Sequence, residues 1–285
     1  MQSNNYAYVN GRFVLEAEAT VSIFDRGFLY GDGVFETMRV YGGKVFRLME
    51  HVGRLVAGID LLGIDLEETS QYLQGVCEEI VTRNRVVSGM TRLCVTRGLS
   101  NVGLSGKSAA RPTIVAVAQE RVFSTDATPL RVVVASTRID AHSRLARVKS
   151  ANRLPYVLAK LEAERCDADD AILLNAANHA VELTASNLFV YREGKLVTPP
   201  LTDGALPGIT RSLVLMLAAQ TGIDVQEASF TVEMACHAEE AFATNSLFEI
   251  SPIAAIDNQL LSQRRITSRL QEAFREYVRD ELLLP

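Results

Sequence analysis

The sequence predicts an α/β (α+β) protein in two domains. Three observations carry this expectation. Alternating strand-like runs and amphipathic helical runs are interspersed in both halves of the chain. A polar stretch without periodicity, Gln119 to Pro129, separates those halves. The 285 residues suit one large domain or two of medium size. The expected organisation is a smaller N-terminal domain over 1–120, a linker over 121–129, and a larger C-terminal domain over 130–285 that carries Lys149.

Tyr6 to Val9 and Arg12 to Val14 flank Asn10-Gly11, a strong two-residue hairpin signal. Asp25 to Gly33 reads as a glycine- and aspartate-rich loop. It does not read as a nucleotide-binding glycine motif, because a strand follows it and not a helix start. That strand, Val34 to Tyr41, turns at Gly42-Gly43 into a second strand, Lys44 to Leu48. The apolar spacing of Val52, Leu55, Val56 and Ile59 predicts a helix over Met49 to Leu61, and a second helix covers Ser70 to Arg85. Strands follow at Thr91 to Thr96 and Thr113 to Ala118, with a loop over Arg97 to Leu104.

Past the linker, Leu130 to Ala135 is a strand and Ser136 to Arg147 is polar. Pro155 suits the first turn of a helix whose expected buried face is Val157, Leu158 and Leu161. Strands are expected at Ala171 to Leu174, Val181 to Thr184, Asn187 to Tyr191, Leu196 to Thr198, Asp224 to Ala228 and Ala241 to Ser246. Gly204 to Arg211 opens a helix through Ala219, and Arg265 to Leu282 is an amphipathic helix.

Composition excludes several classes. A net charge of -5 leaves no basic footprint for nucleic acid. No apolar run approaches the ~18 residues that a membrane span needs. Met1 to Asn5 lacks the basic and apolar regions of a secretory signal. Cys77, Cys94, Cys166 and Cys236 are widely spaced and read as reduced thiols of a cytoplasmic protein. The four histidines are scattered, so no metal site is expected.

The chemistry turns on Lys149. Of five lysines, Lys44 and Lys195 sit in hairpin turns, Lys107 in a polar loop and Lys160 on a charged helix face. Lys149 lies between a strand-like run and a helix, with no acidic residue within seven positions on either side. It is either a surface charge or a chemical amine. Arg54 interrupts an apolar helix pattern, so its head group must meet an anion or reach solvent. Gly208-Ile209-Thr210 starts a helix, where free N–H groups favour a phosphate. Thr244-Asn245-Ser246 places hydroxyl and amide donors in a turn. Glu182 lies on a strand between Val181 and Leu183. Each signal is weak alone.

Together these stretches resemble the class IV, fold-type IV pyridoxal-phosphate enzymes: branched-chain aminotransferases, D-amino acid aminotransferases and aminodeoxychorismate lyases. The matching blocks are Tyr30 to Thr37, Glu50 to Leu55, Lys149-Ser150-Ala151-Asn152, Glu182 to Phe189, Thr198-Pro199-Pro200, Leu206 to Arg211 and Thr244-Asn245-Ser246. They occur in family order across nearly the whole chain.

The resemblance implies pyridoxal 5'-phosphate as cofactor, with Lys149 as its Schiff-base lysine and as the base that moves protons at the substrate α-carbon. It implies Glu182 opposite the pyridine nitrogen. Arg54, the backbone N–H groups of Ile209 and Thr210, and Ser246 would hold the phosphate, with Asn245 close by and Leu206 on the ring face. Phe35, Arg39 and Arg92 are the substrate-side candidates, the two arginines for a carboxylate. The substrates implied are an amino acid and a 2-oxo acid, and the assembly a homodimer.

Within the family the signature is mixed. D-amino acid enzymes carry an Arg-x-His pair where this chain reads Leu99-Ser100-Asn101-Val102-Gly103-Leu104, which disfavours that specificity. Branched-chain enzymes place a tyrosine soon after the lysine, where Asn152-Arg153-Leu154 stands here. That triplet and Asn245-Ser246-Leu247 resemble the lyases, whereas Phe248 to Pro252 resembles the aminotransferases. An aminotransferase of branched-chain type is the leading expectation. The alternative is an aminodeoxychorismate lyase, which releases pyruvate and 4-aminobenzoate.

Overall fold

The computed structural model describes residues 5–107, 109, 111–124 and 128–284; Met1 to Asn4, Ser108, Ala110, Pro285 and part of the expected linker, 125–127, lie outside the described residues. The chain is mixed α/β and divides into two compact units, Met1–Phe123 with Val148–Arg153, and Ser124–Arg147 with Leu154–Pro285.

In the first unit, β1 (Tyr6–Val9) and β2 (Arg12–Leu15) form the expected hairpin, with Asn10 and Gly11 at φ of 46° and 89°. The stretch expected to be a loop after Asp25 contains a short helix, α1 (Arg26–Tyr30). The Asp25 side chain caps it by accepting from the Gly27 N–H at 2.7 Å, and Gly31 ends it in the left-handed region. Next come β3 (Gly33–Tyr41) and β4 (Lys44–Val45). The second strand is shorter than expected, because α2 (Leu48–Leu62) already begins at Leu48. α3 (Ser70–Arg83), β5 (Gly89–Thr96) and β6 (Thr113–Glu120) complete a six-stranded sheet of order β2-β1-β6-β5-β3-β4. Val52, Leu55 and Ile59 of α2 and Leu73, Cys77 and Ile80 of α3 bury one sheet face, against Met38, Val40, Leu93 and Ala116.

The lysine segment needs an amendment to the expected organisation. Residues 148–153, placed by sequence in the C-terminal half, group with the first unit. The cause is backbone pairing beside β3. Phe35 N–H donates to Lys149 O at 3.0 Å, Ala151 N–H donates to Gly33 O at 2.8 Å, and Val148 enters the first core.

The second unit opens with β7 (Leu130–Ile139), longer than expected, and α4 (Leu154–Arg165). The buried positions of α4 are Ala159 and Ala163, not the expected face. Leu154, Val157, Leu158 and Leu161 are 63%, 48%, 50% and 40% exposed, an apolar stripe pointing away from their own sheet. β8 (Asp170–Asn175), β9 (Ala180–Leu183), β10 (Asn187–Arg192) and β11 (Lys195–Thr198) follow. Then come α5 (Ile209–Gln220), β12 (Asp224–Glu227), α6 (Val232–Cys236), β13 (Glu240–Asn245), β14 (Glu249–Ile256), β15 (Gln259–Leu260) and α7 (Arg265–Leu282).

The sheet order is β12-β11-β10-β13-β14-β7-β8-β9, and β9 also pairs with β10, so the six strands from β10 to β9 close on themselves. The Glu240 carboxylate supplies the cap that α7 lacks locally, accepting from the Ile266 and Thr267 N–H groups at 2.9 and 2.8 Å.

Candidate active site

Alternation along β3 divides its side chains between two faces. Val34, Met38 and Val40 enter the core, and Glu36 goes with them, fully buried. A carboxylate there needs partners. His51 and Arg54, one turn apart on α2, supply them. Arg54 Nε and Nη2 donate to the two Glu36 oxygens, both at 2.7 Å, and His51 Nδ1 lies 2.6 Å from Oε2. Since an ionised carboxylate only accepts, His51 carries its hydrogen on Nδ1.

Burial would raise the Glu36 pKa, but the Arg54 charge and the His51 hydrogen bond outweigh it and bring it down to about 2. Burial holds the His51 pKa below its usual value, against the pull of Glu36. The two parallel bonds fix the plane of the Arg54 guanidinium.

The other face of β3 carries Phe35, Thr37 and Arg39. In register, Thr37 opposes Arg92 and Phe35 opposes Cys94. Arg92 lies over the Phe35 ring, 3.9 Å from its centroid, and donates to Thr37 Oγ1 at 3.2 Å. Lys149 Nζ lies 5.0 Å from the same centroid. Phe35, Arg92 and Lys149 therefore share one surface. Arg39 is drawn elsewhere, with its guanidinium 3.4 Å from the Phe123 centroid and 4.9 Å from that of Tyr41.

The Gly-Asp-Gly loop explains itself at Gly31 and Asp32. A Cβ at Gly31, already at φ 66°, would stand 3.2 Å from Asn152 Cα, so only glycine lets the lysine segment lie this close. Asp32 accepts from Arg26 Nε at 2.7 Å and Arg97 Nε at 2.8 Å. Burial pushes its carboxyl up, but bonds from Arg97 and Arg26 prevail and hold it below the usual range. Arg26 in turn donates to the carbonyls of Gly103, Leu104 and Ser105, which pins the loop after β5.

In the second unit a polar row crosses three strands. Asn187 of β10 is the register partner of both Glu182 on β9 and Thr244 on β13. Glu182 is buried. Its Oε2 accepts from the Leu206 N–H at 2.9 Å and from Asn187 Nδ2 at 3.4 Å, and its Oε1 accepts from the Tyr156 hydroxyl at 3.1 Å. Asn187 Nδ2 also donates to Leu206 O at 2.9 Å.

α5 starts at Gly208 with no side-chain cap, leaving the first-turn N–H groups of Ile209 and Thr210 for a ligand. A Cβ at Gly208 would fall 1.9 Å from Asn187 Oδ1, so this approach requires glycine. The Asn245 side chain builds the neighbouring turn: it accepts from the Leu247 and Phe248 N–H groups and donates to Ser186 Oγ at 2.8 Å. Ser246 lies in that turn. Beside it, Thr244 Oγ1 is a buried hydroxyl with no hydrogen-bond partner among the described residues.

Reading the sequence alone missed Glu36, His51, Tyr156 and Asn187. The signal for Glu36 was its phase with Val34, Met38 and Val40. For His51 it was the three-residue spacing to Arg54.

Each unit, taken by itself, carries groups whose chemistry suits part of a phosphorylated pyridine with an aldehyde. In the second unit, a buried carboxylate that accepts from an amide N–H, a carboxamide and a phenol suits a protonated ring nitrogen. In the second unit an uncapped helix start and an orphaned buried hydroxyl suit a phosphate; in the first, an oriented guanidinium suits a phosphate and a lysine an aldehyde. Among the described residues, no group of three or more His, Cys, Asp or Glu could hold a metal ion, and no helix is long and apolar enough to cross a membrane.

Comparison with known proteins gives a consistent picture. The family described as amino-transferase class IV matches residues 33–256. A putative branched-chain-amino-acid aminotransferase of Methanocaldococcus jannaschii is 38% identical over 275 residues, covering 94% of this chain and 95% of the relative. A D-alanine aminotransferase of Listeria monocytogenes is 34% identical over 282 residues, covering 95% of each. Among solved structures, the branched-chain aminotransferase of Thermoproteus uzoniensis with norvaline superposes with a TM-score of 0.91 at 32% identity, over 96% of this chain and 94% of that one. A putative 4-amino-4-deoxychorismate lyase of Legionella pneumophila gives 0.83 at 29% identity, over 92% and 96%.

Proposed function

The chain belongs to the class IV aminotransferases, and from that premise we propose that it exchanges an amino group between a branched-chain-like amino acid and a 2-oxo acid. Pyridoxal 5'-phosphate, the cofactor of this family, supplies when bound an aldehyde for the amino group and an electron-withdrawing ring. The Lys149 amine is the attachment point and then carries the proton to and from the substrate α-carbon. Glu182 holds a proton at the ring nitrogen. Arg54, the N–H groups of Ile209 and Thr210, and Ser246 bind the phosphate. Asn245 shapes the turn that presents Ser246, and Leu206 covers the ring.

The observation that carries the substrate reading is the shared surface of Lys149, Phe35 and Arg92. It offers an apolar wall beside the amine, with a guanidinium at its edge for a carboxylate. The Methanocaldococcus relative supports the same class. Of the two arginine candidates, Arg92 is preferred over Arg39, whose guanidinium is taken up between aromatic rings. The loop Leu99 to Leu104, without the Arg-x-His pair, argues against D-amino acids despite the D-alanine relative.

We assign the protein to the cytoplasm and to a homodimer. The four cysteines, all free thiols, support the first, and the exposed stripe on α4 supports the second. A lyase reading is favoured only by Asn152-Arg153-Leu154 and Asn245-Ser246-Leu247.

The test is a single-turnover panel. Holoenzyme mixed with L-leucine, L-isoleucine or L-valine should lose the visible absorbance of its cofactor faster than with D-alanine. If no amino acid changes that absorbance while aminodeoxychorismate yields pyruvate, the aminotransferase reading is wrong.

A further inference from the structure

The hydroxyl of Tyr156 donates to Oε1 of Glu182, and we propose that Tyr156 is a positioning residue that aims this carboxylate and holds its charge at the cofactor ring. The proposal rests on the reading that Glu182 faces the ring nitrogen. Both residues belong to the second unit.

The Glu182 carboxylate accepts from donors of different kinds. The Leu206 N–H is backbone and reaches Oε2. Asn187 Nδ2 reaches the same oxygen at 3.4 Å and is shared with Leu206 O, where it is shorter at 2.9 Å. Tyr156 alone among these serves Oε1. A carboxylate tethered through one oxygen can still rotate about its Cγ–Cδ bond; a second tether on the other oxygen stops that rotation. A hydroxyl that donates to a carboxylate oxygen also favours the charged form of the acid.

Helix geometry explains why the donor is available here. α4 fully buries only Ala159 and Ala163, and Tyr156 is a large aromatic side chain that it sends toward its own sheet. The ring packs against the cluster containing Leu173, Val181 and Ala205. Val181 and Ala205 are chain neighbours of Glu182 and Leu206. Anchored there at the edge of an apolar cluster, the ring presents its hydroxyl to the one carboxylate of the polar row. A tyrosine that served packing alone could equally be phenylalanine.

The test compares wild type, Tyr156→Phe, Glu182→Gln and the double variant, each as the full chain. Cofactor affinity of the cofactor-free proteins is measured by titration with pyridoxal phosphate and with its 1-deaza analogue, which has carbon in place of the ring nitrogen. Thermal unfolding without cofactor is followed in parallel. Glu182→Gln is expected to weaken pyridoxal phosphate binding. Tyr156→Phe should weaken it about tenfold, the loss of one hydrogen bond to a charged group. It should add twofold or less in the Glu182→Gln background and leave the affinity of the deaza analogue nearly unchanged. Its kcat should fall while KM for the amino acid stays put.

An unchanged affinity in Tyr156→Phe overturns the proposal. So does an equal loss in both backgrounds or for both ligands, which would mark the tyrosine as packing only. If Glu182→Gln itself binds pyridoxal phosphate as wild type does, the assignment of Glu182 fails and the proposal with it, and the two failures are thereby told apart.

Discussion

Glu36→Gln removes one negative charge from the buried Glu36–His51–Arg54 cluster while keeping the shape of the side chain. Arg54, with 10% of its side chain exposed, would then face a neutral amide in place of the carboxylate that takes two of its bonds. Breaking a buried ion pair by removing one partner costs about 3–5 kcal/mol, and the surviving amide oxygen places this case near the lower end, about 3 kcal/mol. The lowered acidity constant gives an independent figure. A carboxyl brought from 4.5 to about 2 corresponds to about 3 kcal/mol of folding stability at neutral pH. For a chain of this size that is roughly 6–10 °C in Tm.

The assay is thermal unfolding of the cofactor-free proteins, since bound cofactor would add its own stabilisation. The sign with pH is fixed by the depressed folded value. The contribution is complete above about 4.5, the unfolded value, and is lost as pH falls through about 2. The gap between the two proteins should therefore be constant near neutrality and close below pH 4.5. His51, held low by burial, begins to cost stability already as pH falls below 6.5, so the diagnostic window is the lower one. A Tm within a degree of wild type at pH 7.5, or a gap that persists unchanged down to pH 3, would refute the reasoning.

Two further outcomes bear on the proposed function. Leu158→Glu places a charge in the exposed stripe of α4 and should shift the protein from dimer to a 31.2 kDa monomer in analytical ultracentrifugation; an unaltered dimer would move the interface away from α4. Arg92→Ala should lower kcat/KM for the amino acid about 10- to 100-fold through KM, the worth of a charge-assisted bond to a carboxylate. An unchanged KM in this variant, with a raised one in Arg39→Ala, would exchange the roles of the two arginines.

Much of the architecture was legible because local chemistry decides it. Asn10-Gly11 forced its hairpin, and α7 runs over the same residues, Arg265 to Leu282, that its amphipathic pattern marks. What failed was decided by distant parts of the chain. The apolar stripe of α4 has the right helical spacing, yet periodicity says only that a face is apolar and not what covers it. β14 carries Pro252 inside a strand that pairs on both sides, where a proline argues against a strand; the sequence pattern therefore hid it. Pairing of residues 149–151 beside β3, more than a hundred residues upstream, has no local signature, so Lys149 was placed with the wrong neighbours.

The two buried glutamates show how the same side chain acquires different chemistry from its donors. Glu36 is held by a guanidinium and an imidazole N–H. An arginine within bonding distance cancels the charge, and what remains is a rigid clamp that orients Arg54. Glu182 is held by an amide N–H, a carboxamide and a phenol. A neutral donor orders a carboxylate without cancelling its charge, and under the proposed function that anion serves a proton on the bound ring. A neutral donor in place of Arg54 would leave Glu36 an uncompensated charge in an apolar core. The proposed function gives Glu36 to scaffolding and Glu182 to the cofactor, and the donors named above support that division where burial, nearly the same for both, does not.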